Sequence, residues 1–420
     1  MSGPGIGLAA SKAPPFRLPG EHFTAALAFL VLGAVGLVVV ARDLAAGAYP
    51  LPSIVGVTHL FTLGWITTSI MGALYQFLPV ALGEPIRSIS AGHFTFLIYV
   101  PGVAAFVAGM VLGVAPLMLG GAALLGTGLL VFILNLGATL LRSTARDITW
   151  WALAGADGFL AVTLVLGLAL AGNLHWGYLG AARPIALGTH LHVALFGWVL
   201  LVIVGVAHRL LPMFLLSHGA SERHAQVSVG LLAAGAATLT VGHHAPPIVS
   251  RWLPALLLGG GLFALLLQAR AFYSHRHRPA LDPGMRSAAL ALGVLAVALA
   301  LAAVALFIDA SPRASTAYVL ALVLGISLFI AALYYKIVPF LVWYHRFGPL
   351  TGKRKIARVS DLYSARLAGA AGALLLLGVA FVVGGVVAAQ AGVVRAGALI
   401  LTVGVGVETV QMYMLARRTP

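Results

Sequence analysis

The sequence predicts an all-α, polytopic membrane protein of twelve transmembrane helices, on three observations. Of its 420 residues 61% are apolar and only 8% charged, a composition foreign to soluble domains. The apolar residues gather into twelve runs, each long enough to cross a bilayer. None of the runs alternates as a barrel strand does, so each must satisfy its own backbone in lipid, which a helix can do.

Taken in order, the runs lie near 22–41, 54–82, 91–113, 115–141, 148–172, 184–215, 225–245, 250–272, 285–309, 314–343, 362–388 and 391–416. Ala46-Gly47-Ala48 after the first resembles a signal-peptidase site, but that run exceeds a usual h-region and is read as a retained helix. The second carries His59-Leu60-Phe61-Thr62-Leu63-Gly64-Trp65, then Gly72 and Pro79. The sixth carries His192-Val193-Ala194-Leu195-Phe196-Gly197-Trp198, then Gly205 and Pro212, in the same register. The fifth and twelfth hold the carboxylates Asp157 and Glu408 inside their spans. The seventh ends in His243-His244-Ala245-Pro246-Pro247.

The tenth run ends in a third, degraded copy of the motif. Aligning Pro79, Pro212 and Pro339 places Tyr75, His208 and Tyr335 four residues before each, and Gln76, Arg209 and Lys336 three before each. The histidine position of this copy is Val319. The chain therefore reads as one transmembrane domain of three pseudo-symmetric four-helix units, near 22–141, 148–272 and 285–416, with an asymmetric ligand set.

Basic residues set the expected orientation. With the N-terminus inside, the outer segments hold Arg42, Arg183, Arg251, Arg313 and Arg395, and the inner ones hold the other 20 of the 25 Lys and Arg. Both termini are then cytoplasmic in a bacterial-type inner membrane. The net charge of +15 is an anchor on an anionic leaflet rather than a nucleic-acid surface. With no cysteine, disulfides, thiolate metal sites, iron–sulfur clusters and covalent heme attachment are excluded.

Histidine is a common metal ligand, and a polar group in a span is expensive enough to suggest a role. In this topology His59, His190 and His192 lie at similar depth. His190 and His192 are separated by about 200° around a helix axis, so one helix can serve two sites. A heme with axial imidazoles from the second and sixth helices suits this arrangement; so does a set of histidines that merely cap helix ends. His243 and His244, with a third imidazole from the sixth helix, suit copper or zinc, or else form an exposed polar loop. His175, beside Trp176 and Tyr178, reads as interfacial. His208, about 24 Å deeper than His192, joins Tyr75, Gln76, Arg209, Tyr335 and Lys336 in an inner ring. That ring is a proton entry, a site for an acidic cofactor group, or a set of snorkelling side chains. Asp157 and Glu408 are relay groups or partners of the inner-ring bases, with Asn135 and Gln411 extending the same path.

Twelve helices in three fours, an early His on the second and His ligands on the sixth and seventh resemble the heme-copper oxidase subunit I superfamily. The stretch from Thr189-His190-Leu191-His192 through Phe196-Gly197-Trp198 to Leu211-Pro212 looks most like the C-family, cbb-type oxidases; NnrS-type heme and copper membrane proteins are also similar. The resemblance implies a low-spin heme b on His59 and copper on His192 (or His190), His243 and His244. The family's tenth helix carries two further heme ligands as His-x-His, and here the tenth run has none. The resemblance thus implies a divergent member holding heme b between the second and sixth helices. Three readings follow: a heme redox protein exchanging electrons with quinone, a partner protein, oxygen or nitric oxide; a non-catalytic heme- or copper-handling protein; and a proton-coupled transporter using Asp157, Glu408, His208 and Arg209.

Overall fold

The computed structural model describes residues 14–242, 245–246, 248–353 and 355–420. It is all-α, with twelve helices long and apolar enough to cross a membrane. They are α1 (Arg17–Val39), α2 (Pro52–Leu82), α3 (Ile89–Leu112), α4 (Ala115–Arg142), α5 (Ile148–Trp176), α6 (Gly180–Leu215), α7 (Arg223–Val241), α8 (Ile248–Ser274), α9 (Pro283–Phe307), α10 (Pro312–Leu350), α11 (Ala365–Val387) and α12 (Ala391–Ala416). This is a multi-pass membrane protein.

Local chemistry sets the ends. Side chains of Ser88, Asp147, Asp282, Ser311 and Ser364 cap α3, α5, α9, α10 and α11 by accepting from backbone N–H groups at 3.0–3.3 Å. Pro52, Pro283 and Pro312 stand at the first turns of their helices, where a missing N–H is harmless. Several boundaries differ from expectation by four residues or more, two of them next to histidines. α7 stops at Val241, and α10 continues to Leu350 through a π-helical stretch at Trp343–Phe347. The extension carries half-buried His345 onto α10.

The chain divides into two compact units, one built from the segment up to Phe23 with Ile70–His277, the other from Thr24–Ser69 with Arg278–Pro420. In the first, α3 and α4 approach so closely that a side chain at Gly128 would meet Tyr99 Cβ within 2.7 Å. In the second, Gly378 of α11 and Gly397 of α12 do the same, at 2.7 Å from Leu401 and 2.6 Å from Val382. Small residues let membrane helices pack by van der Waals contact where no hydrophobic driving force exists. Gly47 in the second unit has φ of 75° and sits against the Arg313 backbone, a turn that only glycine takes without strain.

Burial separates the helices by role. In α2, α6 and α10, the three that carry copies of the motif, 72%, 72% and 78% of the most apolar window is buried, against 22% in α5 and α9. Trp65, Trp198 and Tyr334, the largest side chains they bury, are at most 2% exposed. The helices with the repeated sequence are the most buried of the twelve.

Candidate functional site

His59 and His192 fold alike. Each ring Nδ1 meets the carbonyl four residues back in its own helix, Val55 for His59 and Gly188 for His192, at 2.7 Å in both. A carbonyl only accepts, so Nδ1 carries the proton of the neutral imidazole and Nε2 holds the lone pair. That anchoring and tautomer are those of a histidine that ligates a metal through Nε2. Both side chains are half-buried.

Directly after each histidine the helix widens into eight π-helical residues, Leu60–Thr67 and Val193–Leu200. Such turns are rare and gather at functional sites. In the first copy the Thr68 hydroxyl donates to the Leu63 carbonyl at 3.0 Å, reinforcing the widened turn. Each stretch holds the motif glycine at a tight crossing: a Cβ on Gly64 would lie 2.6 Å from Phe29 Cβ of α1, and one on Gly197 would lie 2.9 Å from Phe159 Cβ of α5. In the third copy, Val319 replaces the histidine and the helix stays α-helical from Pro312 to Val342. Histidine and widened turn occur together and are lost together.

The structure distinguishes the two histidines of α6. His190 turns to α5, with Nδ1 3.2 Å from the Thr163 carbonyl and its ring against Gly167. His192 stacks on Phe196 of its own helix, with ring centroids 6.0 Å apart. His192 is therefore the counterpart of His59. His243 and His244 lie outside the described residues, and among the described residues no three His, Asp or Glu side chains converge to hold a metal ion.

The inner-ring bases have carboxylate partners that sequence reasoning missed. Arg209 pairs with Asp147, and Lys336 with Asp282; each aspartate is also the N-cap of the helix that precedes the base's own. An Asp just ahead of an apolar run is a capping signal, so both were legible. His208 lies 3.3 Å from Glu222. Asp157 and Glu408 pair with none of these bases. Asp157 is half-buried beside Gly137, with its Oδ1 lacking a hydrogen bond. Glu408 is fully buried, and neither of its oxygens has a hydrogen-bond partner.

The residues read as one path divide between the units: Tyr75, Asp157, His208 and Arg209 belong to the first, Tyr335, Lys336 and Glu408 to the second. In the first, Tyr75 faces Thr95 and Asn135, and Asn135 itself clamps the Ser88 backbone at 2.9 and 3.0 Å. Tyr75 also packs edge-on against His22, centroids 5.3 Å apart. His22, given no role from sequence, is fully buried, bonds Leu18 carbonyl through Nδ1 at 2.8 Å and leaves Nε2 without a hydrogen bond. Its signal was Gly72 of the motif, where a Cβ would lie 3.0 Å from that of His22. In the second unit, Tyr335 and Gln411 are hydrogen-bonded at 2.9 Å, and Tyr334 and Ser69 at 2.8 Å.

No protein-family model matches the chain, and a search of the curated proteins finds no match to it.

Proposed function

We propose that this membrane protein binds heme b and acts as a redox protein similar to heme-copper oxidase subunit I, with His59, His190 and His192 as its candidate heme ligands. The observation that carries the reading is the twice-built element of histidine, backbone-anchored Nδ1 and widened helical turn. Bound heme would supply one-electron chemistry, in exchange with quinone, a partner protein, oxygen or nitric oxide. The chain's own part is to orient two neutral imidazoles through carbonyls that cannot give up their places, because those carbonyls belong to the same helices. Copper, in this reading, takes His243 and His244 with the spare imidazole of α6. The protein sits in a bacterial-type cytoplasmic membrane with both termini inside, in keeping with the distribution of its basic residues.

The test is the reduced-minus-oxidised visible spectrum of detergent-purified protein, with pyridine hemochrome and copper analysis on the same sample. A sharp α-band of six-coordinate heme b is expected, lost in His59→Ala and in His192→Ala. A colourless protein from heme-supplied cells would overturn the reading. It would move forward a proton-coupled transporter, which the unpartnered Asp157 oxygen within α5 favours.

A further inference from the structure

We propose that Glu408 is a reversible proton-binding site inside the second unit, loaded through Tyr335 from the end of that unit where the Lys336–Asp282 pair lies. The reading is independent of heme.

Glu408 has no exposed surface and no hydrogen-bond partner for either oxygen. An ionised carboxylate in that condition would lose its hydration with nothing in return, which is prohibitive in a bilayer-spanning helix. The titratable groups facing it are the phenols of Tyr334 and Tyr335 from α10. From α9 and α11 the neighbours are Ser287 and Gly372 with apolar side chains, and no cation faces it among them. The carboxyl therefore holds a proton, and its hydroxyl needs an acceptor.

The acceptor is present in a cavity. Glu408 shares a narrow space with Ser287, Gly372, Leu328, Ala332 and Tyr335. Gly372 has no side chain where Ser287 Oγ lies, so the serine hydroxyl reaches the cavity wall. The Tyr335 hydroxyl donates to the Gln411 side-chain oxygen at 2.9 Å, in the amide orientation that also lets Gln411 accept from Ala368 N and donate to Ser364 O, both at 3.2 Å. With its proton committed there, the Tyr335 oxygen presents lone pairs to the cavity. A single water between Glu408, Ser287 and Tyr335 would have the two to four polar partners that a buried water requires.

Beyond Tyr335 the polar chain runs to the end of the unit. Its ring packs on Tyr363, centroids 5.3 Å apart, in the segment ahead of α11. Gly284, at the start of α9, fits between the Tyr335 Cβ and the Asp282 carboxylate, with a Cβ there 3.3 Å from each. Asp282 holds Lys336. A proton can pass from that half-exposed pair to Tyr335 and on to Glu408 by exchange of hydroxyl protons, with no charge left unpaired at rest.

The experiment is labelling of the full-length protein, in detergent and in liposomes, with the hydrophobic reagent dicyclohexylcarbodiimide, which reacts with protonated carboxyl groups. Peptide mass spectrometry then locates the adduct. The expected result is an adduct at Glu408 whose rate of formation falls about tenfold for each pH unit above its midpoint, as the protonated fraction does. No adduct at Glu408, or an adduct that forms at one rate from acid to alkaline buffer, would overturn the proposal. Infrared spectra give a second readout. A protonated-acid carbonyl band is expected in the wild type, absent in Glu408→Gln, with slower deuterium exchange in Tyr335→Phe. Exchange unchanged in Tyr335→Phe would overturn the Tyr335 route. The wild-type adduct decides the site even where a variant fails to fold.

Discussion

At His59, His192 and His22 the carbonyl four residues back takes the Nδ1 proton, so the helix itself chooses the tautomer and turns Nε2 outward. Replacing His59 or His192 by alanine should remove six-coordinate heme, whereas His190→Ala should retain it, because His190 is held by Thr163 of α5; the α-band of each purified variant distinguishes them. Asp282 has two duties, the cap of α9 and the partner of Lys336, and Asp147 has the same two at α5. Lost capping alone costs about 1 kcal/mol. The Lys336–Asp282 side chains are 13% and 23% exposed, the Arg209–Asp147 ones 49% and 34%, so solvent screens the latter more. Asp282→Ala should therefore lower the thermal midpoint in detergent more than Asp147→Ala; the reverse order would contradict this ranking. Burial, with Asp282 nearby, pushes the Tyr363 phenol up to about 12. The fold thus favours its neutral form, a stabilisation present below the ordinary value of 10.0 and lost as pH rises through about 12. In alkaline titration of ultraviolet absorbance, Tyr363→Phe should remove a late-ionising tyrosine.

Among the elements, α2 and α6 differ from ordinary spans in a way that hydropathy cannot register. Their sequences announce long apolar helices, but each widens for eight residues after its histidine, and inside each widened stretch another helix crosses at the glycine. Gly64 and Gly197 admit Phe29 and Phe159 at distances that no Cβ tolerates. Gly64→Ala and Gly197→Ala should each destabilise by about 1–3 kcal/mol, the usual cost of overpacking a filled interior, and should broaden the heme spectrum. Gly158→Ala, in open space on α5, should be neutral or slightly stabilising, since alanine is the better helix former. Thermal denaturation of the three purified variants checks the contrast; equal losses at all three would mean that the crossings are not the determinant. The repeated motif placed these glycines in one register. That they mark the crossings of α2 on α1 and α6 on α5 was readable only once the neighbours were known.

For the whole molecule, the three helices that carry the repeated motif are the most buried of the twelve spans. Orientation is testable on the natural background, which contains no cysteine. A cysteine placed at exposed Gln390, between α11 and α12, should react with a membrane-impermeant maleimide on intact cells. One at exposed Lys355, between α10 and α11, should react only after the membrane is opened. The opposite pattern would invert the proposed topology.

Composition and periodicity determined by themselves that this chain forms twelve membrane helices, because lipid offers no water to the backbone and each run must satisfy its own polar groups. The repeated motif likewise selected His59 and His192 from fourteen histidines, and among the described residues they are the two that an eight-residue π-helical stretch directly follows. Pairing was beyond it. The sequence left Asp157 and Glu408 as candidate partners of the inner bases, yet Arg209 and Lys336 took the capping aspartates, Asp147 and Asp282, at the mouths of neighbouring helices. His22 carried no mark of its own, and acquired one only from Gly72 packed against it. Hydrophobicity is a property of a residue and is summed along a chain, so it can be read in one dimension. Which polar atom meets which is a matter of angstroms between helices distant in sequence, and that only the tertiary structure decided.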